Sequence, residues 1–255
     1  MNAKTLVIFS FNAKSEQPLQ RLIFDSPPAF AIGLFDYSAS YPGALDSVLF
    51  RAGDQCMNVT RISASTECKG DILLRCHDFL GSVVEGYDYI AFFDDDILIR
   101  VSSINEAIRQ GAGYRLTTFQ PALAPCSFYS HSFTLQKSLN GIRFVDWIEV
   151  MMPFVSVELF LAGGRFYRYS VSSWGIDCYV WPLLSFLLDL GSRHAIIESS
   201  VGCHLRPITS SQRVFGNGLS ASQEKEIVRQ ACVEYVKSHH PQCESDSRVV
   251  SLLNF

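Results

Sequence analysis

The chain has 255 residues, of which 48% are hydrophobic and 18% charged, and a formal net charge of −4. That composition excludes a disordered chain, a coiled coil and a collagen-like repeat, and it is ample for a large buried core. The mild acidic balance argues against a dedicated nucleic-acid binder, which needs a basic excess.

Met1-Asn2-Ala3-Lys4 followed by Thr5–Phe11 has the outline of a signal peptide, but the apolar run is too short and no small-residue cleavage site follows. It reads as a first buried strand, with Leu6-Val7-Ile8-Phe9 at its centre. Phe30–Phe35, after Pro27-Pro28, predicts a second strand running into Asp36-Tyr37, and Met57–Ile62 a weaker third. Asn58-Val59-Thr60 has the form of a glycosylation sequon, which matters only in an exported chain. Asp71 can cap a helix through about Val84, because Ile72, Leu73, Cys76, Phe79, Leu80 and Val83 recur at helical spacing. Tyr89–Phe93 is the clearest buried strand. Ser103 and Glu106 have capping-box spacing, and Gly111 suits the end of that helix.

The second half is less regular. It holds Phe144–Pro153, an aromatic and Gly-rich stretch Phe160–Trp181, and a strand-like Ala195–Cys203 ending at His204. A helix is predicted over Ser220–Val236, opened by Ser220 with Gln223 three residues on, and the polar tail after Pro241 is expected to be loose. Strands alternating with helices imply an α/β fold: a mostly parallel central sheet flanked by helices, with ligands at the carboxyl ends of the strands. With no repeat or linker, one domain is expected over residues 1–240. Residues 1–115 would form its nucleotide-binding half, 116–240 an acceptor-binding half with a smaller irregular portion, and 241–255 the tail. Eight cysteines without a CxxC pair read as free thiols. The longest apolar stretch, Val180–Leu190, is about half a membrane span and contains Ser185 and Asp189. A soluble, cytoplasmic protein is expected, with room for peripheral membrane contact.

Asp94-Asp95-Asp96 carries the most chemistry. Three carboxylates directly follow the apolar strand Tyr89–Phe93, where adjacent like charges need compensation. Alternate residues of an extended segment point the same way, so Asp94 and Asp96 can face one ligand while Asp95 turns aside. Two carboxylates make a hard oxygen site for Mg²⁺ or Mn²⁺ that leaves room for phosphate oxygens. A solvated acidic turn at a strand end is the plainer account.

An apolar strand ending in Asp-x-Asp resembles the metal-binding motif of GT-A glycosyltransferases. Added to it are Gln120-Pro121-Ala122-Leu123, Ser130-His131, Phe144–Pro153 and Trp174-Gly175-Ile176-Asp177. In that order they resemble a family of plant and bacterial proteins known as domain of unknown function 707, over about residues 65 to 210. Where a Phe-Val-Glu-Val pattern is expected, this chain has Trp147-Ile148-Glu149-Val150. The resemblance implies a GT-A-like fold and a metal-dependent transferase. Such an enzyme moves a sugar from a nucleoside diphosphate sugar to a hydroxyl acceptor, a surface polysaccharide or glycolipid among the acceptors it suggests. It also implies that Asp94, Asp96 and His204 are the metal ligands, a neutral imidazole being suited to Mn²⁺. Arg206, two residues beyond His204, can meet a phosphate.

Asp177 and Glu149 are competing candidates for the base that deprotonates the acceptor. A helix N-cap and a buried salt bridge are their respective structural explanations. Trp174 can pack on a sugar face. Phe9, Asn12 and Asp36, with Tyr37, stand at strand ends where a nucleotide is expected. Lys69 lies at a helix start suited to phosphate. Asp95 and His131 complete the set expected to contact donor or acceptor. Other readings are a non-catalytic sugar- or nucleotide-binding module of the same fold, and a metal-dependent phosphoryl or nucleotidyl transferase. The dehalogenase type of phosphatase fits poorly, since its Asp-x-Asp belongs after the first strand and here Ile97-Leu98 follows. Neither a G-x-G-x-x-G nor a P-loop is present.

Overall fold

The structure, a computed structural model, describes residues 3–40, 45–52, 55–208 and 211–254. Met1 and Asn2, and the side chain of Cys56, lie outside what is described. The elements in chain order are β1 (Thr5–Phe11), β2 (Leu22–Ile23), β3 (Ala31–Asp36), β4 (Leu45–Ala52), β5 (Gln55–Ser63) and α1 (Lys69–Leu80). Next come β6 (Tyr89–Phe93), β7 (Ile97–Arg100), α2 (Val101–Gly113), β8 (Thr118–Leu123), β9 (Ile142–Val145), β10 (Phe154–Ser156) and α3 (Val157–Tyr167). The chain ends with α4 (Trp181–Leu187), β11 (His194–His204), α5 (Ala221–His239) and α6 (Ser247–Leu253).

One curled sheet runs β2-β7-β11-β8-β10-β6-β1-β3-β5-β4, with β9 also on β11. Strands β5, β3, β1 and β6 are parallel neighbours, as expected of this half of the sheet. The sheet turns mixed beyond them: β10 is antiparallel to both β6 and β8, and β11 antiparallel to β7. The period of two along the buried strands sorts the core into two layers. Leu6, Ile8, Ile90 and Phe92 face α1, α3, α4 and α5. Val7, Phe9, Phe11, Ala91 and Phe93 face the other way, against α2. Burying each such aliphatic or aromatic side chain is worth roughly 1.5–3 kcal/mol, so both layers are strongly specified.

Local signals fare unevenly. Ser220 and Gln223 form the expected reciprocal capping box at α5. α1 instead starts at Lys69 after Cys68, and Asp71 does not cap it, its carboxylate accepting from the Glu67 N–H. α2 starts at Val101, two residues before the Ser103 box. Its first turn is held from afar by Asp25, which accepts from the Ser102 N–H (2.9 Å) and hydroxyl (2.6 Å). Gly111 sits inside α2 rather than ending it, and a Cβ there would meet Phe119 at 2.3 Å. The tail is ordered: α6 buries Val249 and Leu253, and Arg229 donates to the Leu253 carbonyl. The described cysteines are free thiols, with the sulfurs of Cys126 and Cys203 3.8 Å apart. Among the described residues no helix is long and apolar enough to cross a membrane.

Candidate active site

At the carboxyl ends of β1, β3 and β6 a cleft of about 480 Å³ opens. Its floor is the turn Asp94–Asp96 that joins β6 to β7, closed by the Ile97 N–H donating to the Asp94 carbonyl at 3.2 Å. Lys69, at the start of α1, reaches this turn with its Nζ 2.5 Å from Asp94 Oδ1 and 3.2 Å from the Phe92 carbonyl. Burial raises Asp94 against the pull of Lys69, and Asp96 pushes the same way, to about 6. Asp95 accepts from the Tyr37 hydroxyl at 2.8 Å and pairs with the Arg206 guanidinium, while its carbonyl accepts from Arg21. Arg206 Nε also lies 3.3 Å from Asp96.

His204 is brought to Asp96 by strand register. β11 pairs with β7 so that His204 stands opposite Ile97, the residue after the acidic turn. Its Nδ1 is 3.0 Å from the Phe128 carbonyl, an acceptor that fixes the proton on that nitrogen. Nε2 then faces Asp96 Oδ2 at 3.1 Å. Burial works against charging His204, but the Asp96 hydrogen bond and charge, with the Phe128 carbonyl and Asp94, together outweigh it and raise the imidazole above its ordinary value. Asp96 shifts the opposite way: burial alone would raise it, and His204 with Arg206 hold it below the usual carboxylate range. Its second oxygen, Oδ1, is buried without a hydrogen-bond partner. Among the described residues no three His, Cys, Asp or Glu side chains stand in an arrangement that holds a metal as they are. The donor set nonetheless suits one. An orphan carboxylate oxygen, a second carboxylate and an imidazole nitrogen with its far side anchored are hard-to-borderline ligands.

The opposite wall is acidic and aromatic. Glu149 is 4% exposed, one of its oxygens unpartnered and the other 4.0 Å from His131 Nε2. Burial, reinforced by Asp177, raises its carboxyl to about 8. Asp177 follows Gly175 in a π-helical turn, Ile176–Val180, and burial raises it to about 6 despite the Cys178 N–H on Oδ1 at 2.8 Å. Only glycine suits position 175: its φ is +92°, and a Cβ would lie 2.9 Å from that of Val228. His131 packs edge-on to Trp147 at 4.7 Å, and Phe133 lies against the same indole at 4.9 Å. Trp174 and Lys225 also line the cleft.

Thus Lys69, Asp94, Asp95, Asp96, His131, Glu149, Trp174, Asp177 and His204 share one cavity, together with Arg206 and Tyr37. Phe9, Asn12 and Asp36 do not line it. Phe9 points into the α2 layer, its ring 5.3 Å from that of Phe93. Asn12 turns back to accept from the Lys14 N–H. Asp36 is fully buried with both oxygens taken, by Ala13, Ser38, Ser40 and Ser63, so it ties loops together and has no lone pair for a base. Sequence reasoning missed Trp147 and Lys225 as lining residues. Trp147 lay within a quoted motif, whereas Lys225 on the first turns of α5 carries no signal of its own.

No family model and no curated protein matches the chain. Solved structures do. S. aureus TarS 1–349 aligns with 99% of this chain and 71% of its own at a TM-score of 0.54 and 10% identity. The same protein in complex with UDP gives 0.53 at 10% identity, with the same two coverages of 99% and 71%. GalNAc-T7 with UDP, GalNAc and Mn²⁺ aligns over 99% of this chain at a TM-score of 0.51 and 10% identity, and the chain spans 54% of that protein. These neighbours are GT-A glycosyltransferases, and at such identities the likeness is one of fold. The chain therefore has a GT-A-like fold, with its acidic turn, His204 and two raised carboxyls gathered in one cleft.

Proposed function

We propose that the chain is a metal-dependent glycosyltransferase that moves a sugar from a nucleoside diphosphate sugar to a hydroxyl acceptor, a saccharide or glycolipid. The observation that carries this reading is the cleft itself. An Asp94–Asp96 turn with an unpartnered, buried oxygen faces two carboxyls of different proton affinity. Asp94, Asp96 and His204 would hold Mn²⁺ or Mg²⁺, which when bound offsets the charge on the departing diphosphate.

The chain's own groups supply the rest. Lys69, Arg206 and Arg213 line the donor side of the cleft and suit a diphosphate. Asp177, raised only to about 6, is ionised at neutral pH and takes the proton of the acceptor hydroxyl. As that oxygen bonds to the anomeric carbon, the bond from this carbon to the diphosphate oxygen breaks and its electron pair leaves with the diphosphate. Glu149, at about 8, keeps its proton at neutral pH and can donate a hydrogen bond to a sugar oxygen. The His131 and Trp147 rings line the cleft, with Phe133 packed against both, and would limit water, which would otherwise compete as acceptor.

The test is a thermal-shift screen against nucleoside diphosphates and their sugars with and without Mn²⁺, followed by a transfer assay with the best donor. A Mn²⁺-dependent shift that vanishes in Asp94→Ala and Asp96→Ala supports the reading. A folded Asp96→Ala protein that retains metal-dependent turnover overturns it.

A further inference from the structure

We propose that Glu224 is a positioning residue for this cleft: its carboxylate holds the segment 170–174 and thereby sets where Trp174 and Asp177 stand. Those two side chains matter only on the transferase reading above, but the hold itself is a property of the fold.

Glu224 lies in the first turn of α5, 0% exposed. Its Oε2 accepts from the Ser172 N–H at 2.8 Å, the Ser172 hydroxyl at 2.5 Å and the Ser170 hydroxyl at 3.2 Å. Oε1 accepts from the Val171 N–H at 3.1 Å and from Asn217 Nδ2 at 2.7 Å. These partners are neutral N–H and O–H groups, more than 50 residues away in sequence except for Asn217. A buried carboxylate is a costly way to fill space, and an apolar side chain like its α5 neighbours Val228 and Val236 would fill it more cheaply. What it provides is direction. The segment it grips has no ladder to satisfy its backbone, and Ser173 has a left-handed φ of +74°. Directly beyond stand Trp174, the obligatory Gly175 and Asp177.

The grip extends to the donor side. The Val171 carbonyl accepts from the Gly70 N–H at 2.8 Å, and the preceding residue, Lys69, holds Asp94. A Cβ at Gly70 would fall 1.7 Å from the Ser170 carbonyl oxygen, so α1 and the segment touch backbone to backbone. Glu224 is thus the far anchor of one hydrogen-bonded path from the acidic turn to the proposed base.

Glu224→Gln tests this, because it keeps the size and one acceptor oxygen but turns an NH₂ toward one set of donors. Hydrogen–deuterium exchange over residues 170–178 should rise about tenfold while peptides of β1 and β6 stay protected, a local opening rather than global unfolding. In the transfer assay kcat should fall on the order of 10–100-fold, well beyond any loss of donor affinity in a Mn²⁺ titration, as expected for a misplaced reacting group. Should Glu224→Gln fail to fold, Ser172→Ala removes the hydroxyl that meets Glu224, Ser170 and the Trp174 N–H and is read out the same way. Unchanged exchange over 170–178, or a uniform rise along the whole chain, overturns the positioning role. A wild-type protein that transfers no sugar overturns the transferase reading instead, and the exchange data still decide Glu224.

Discussion

Replacing Glu149 by Gln should stabilise the protein, and by an amount that depends on pH. The carboxyl is 4% exposed and titrates at about 8 in the folded state, against 4.5 when solvated. Its folded value is raised, so the folded state binds this proton more tightly than the unfolded chain. The contribution favours folding below pH 4.5 and is lost as pH rises toward 8. At pH 7 the folded protein keeps the proton and the unfolded chain does not, a difference of about 3 kcal/mol at 1.36 kcal/mol per tenfold. By pH 9 it grows to about 5 kcal/mol, and at pH 5 it is below about 1 kcal/mol. Glutamine mimics the protonated acid and removes the term. For a chain of this size 1 kcal/mol moves Tm by about 2–4 °C, so Glu149→Gln should melt roughly 6–12 °C higher than wild type at pH 7. The gain should shrink to about 2–4 °C or less at pH 5. Melting is followed in metal-free buffer at pH 5, 7 and 9, so that no bound cation adds its own field. Packing changes cancel when the two proteins are compared across pH. An offset between them that stays constant from pH 5 to 9 would refute the reasoning, since it would mean that Glu149 ionises freely in the folded state. Because the glutamine amide can also donate to a sugar oxygen, transfer at pH 7 should persist in the variant.

Further outcomes follow from the same geometry. Asp96→Asn should abolish the Mn²⁺-dependent thermal shift with donor while the protein still folds, checked by the shift assay and circular dichroism. Asp177→Asn should lower kcat by about 10²–10⁴-fold with donor Kd little changed. In the wild type the rate should fall as pH drops through about 6, where Asp177 takes up its proton, and this acid limb should be shallower in the variant, where Asp94 alone titrates in that range. Gly70→Ala must push the Ser170 carbonyl away, and should cost on the order of 1–3 kcal/mol by denaturant melting. Ser220→Ala removes the oxygen that accepts the Gln223 N–H and should cost about 1 kcal/mol in the same measurement.

What could be read from the chain was what is encoded locally. Leu6–Phe9 and Tyr89–Phe93 are continuous apolar runs, so β1 and β6 were legible, and the acidic turn with them. The α5 cap was legible because both of its halves lie within four residues. Where a helix start is satisfied from elsewhere, the local pattern misleads: Asp25 holds the first turn of α2 from 77 residues away, and the Ser103 box goes unused. Strands β7 and β10 are too short to show a period, and their antiparallel pairings are part of what makes the sheet mixed. Asp36 illustrates the limit for site residues. It stands at the right strand end, but whether its oxygens face a ligand or four loop partners is decided by segments that sequence spacing does not place. Glu224 is the converse, an ordinary acidic residue in a first helical turn whose importance appears only when the segment it holds is seen.

The pairing of β11 with β7 acts as a ruler for the cleft. His204 meets Asp96 because Gly202, Cys203 and His204 are matched one by one to Ile99, Leu98 and Ile97. A single residue inserted between Gly202 and His204 would turn the imidazole to the opposite face of the sheet. Further back, β11 already departs from strict pairing with β8 between Ile197 and Val201, where the register shifts. That irregularity can take up a gain or loss of length before the matched stretch begins. The distance between the acid turn and its histidine is therefore protected from changes upstream, and drift in chain length would be tolerated at the bulge and forbidden in the last three residues of the strand.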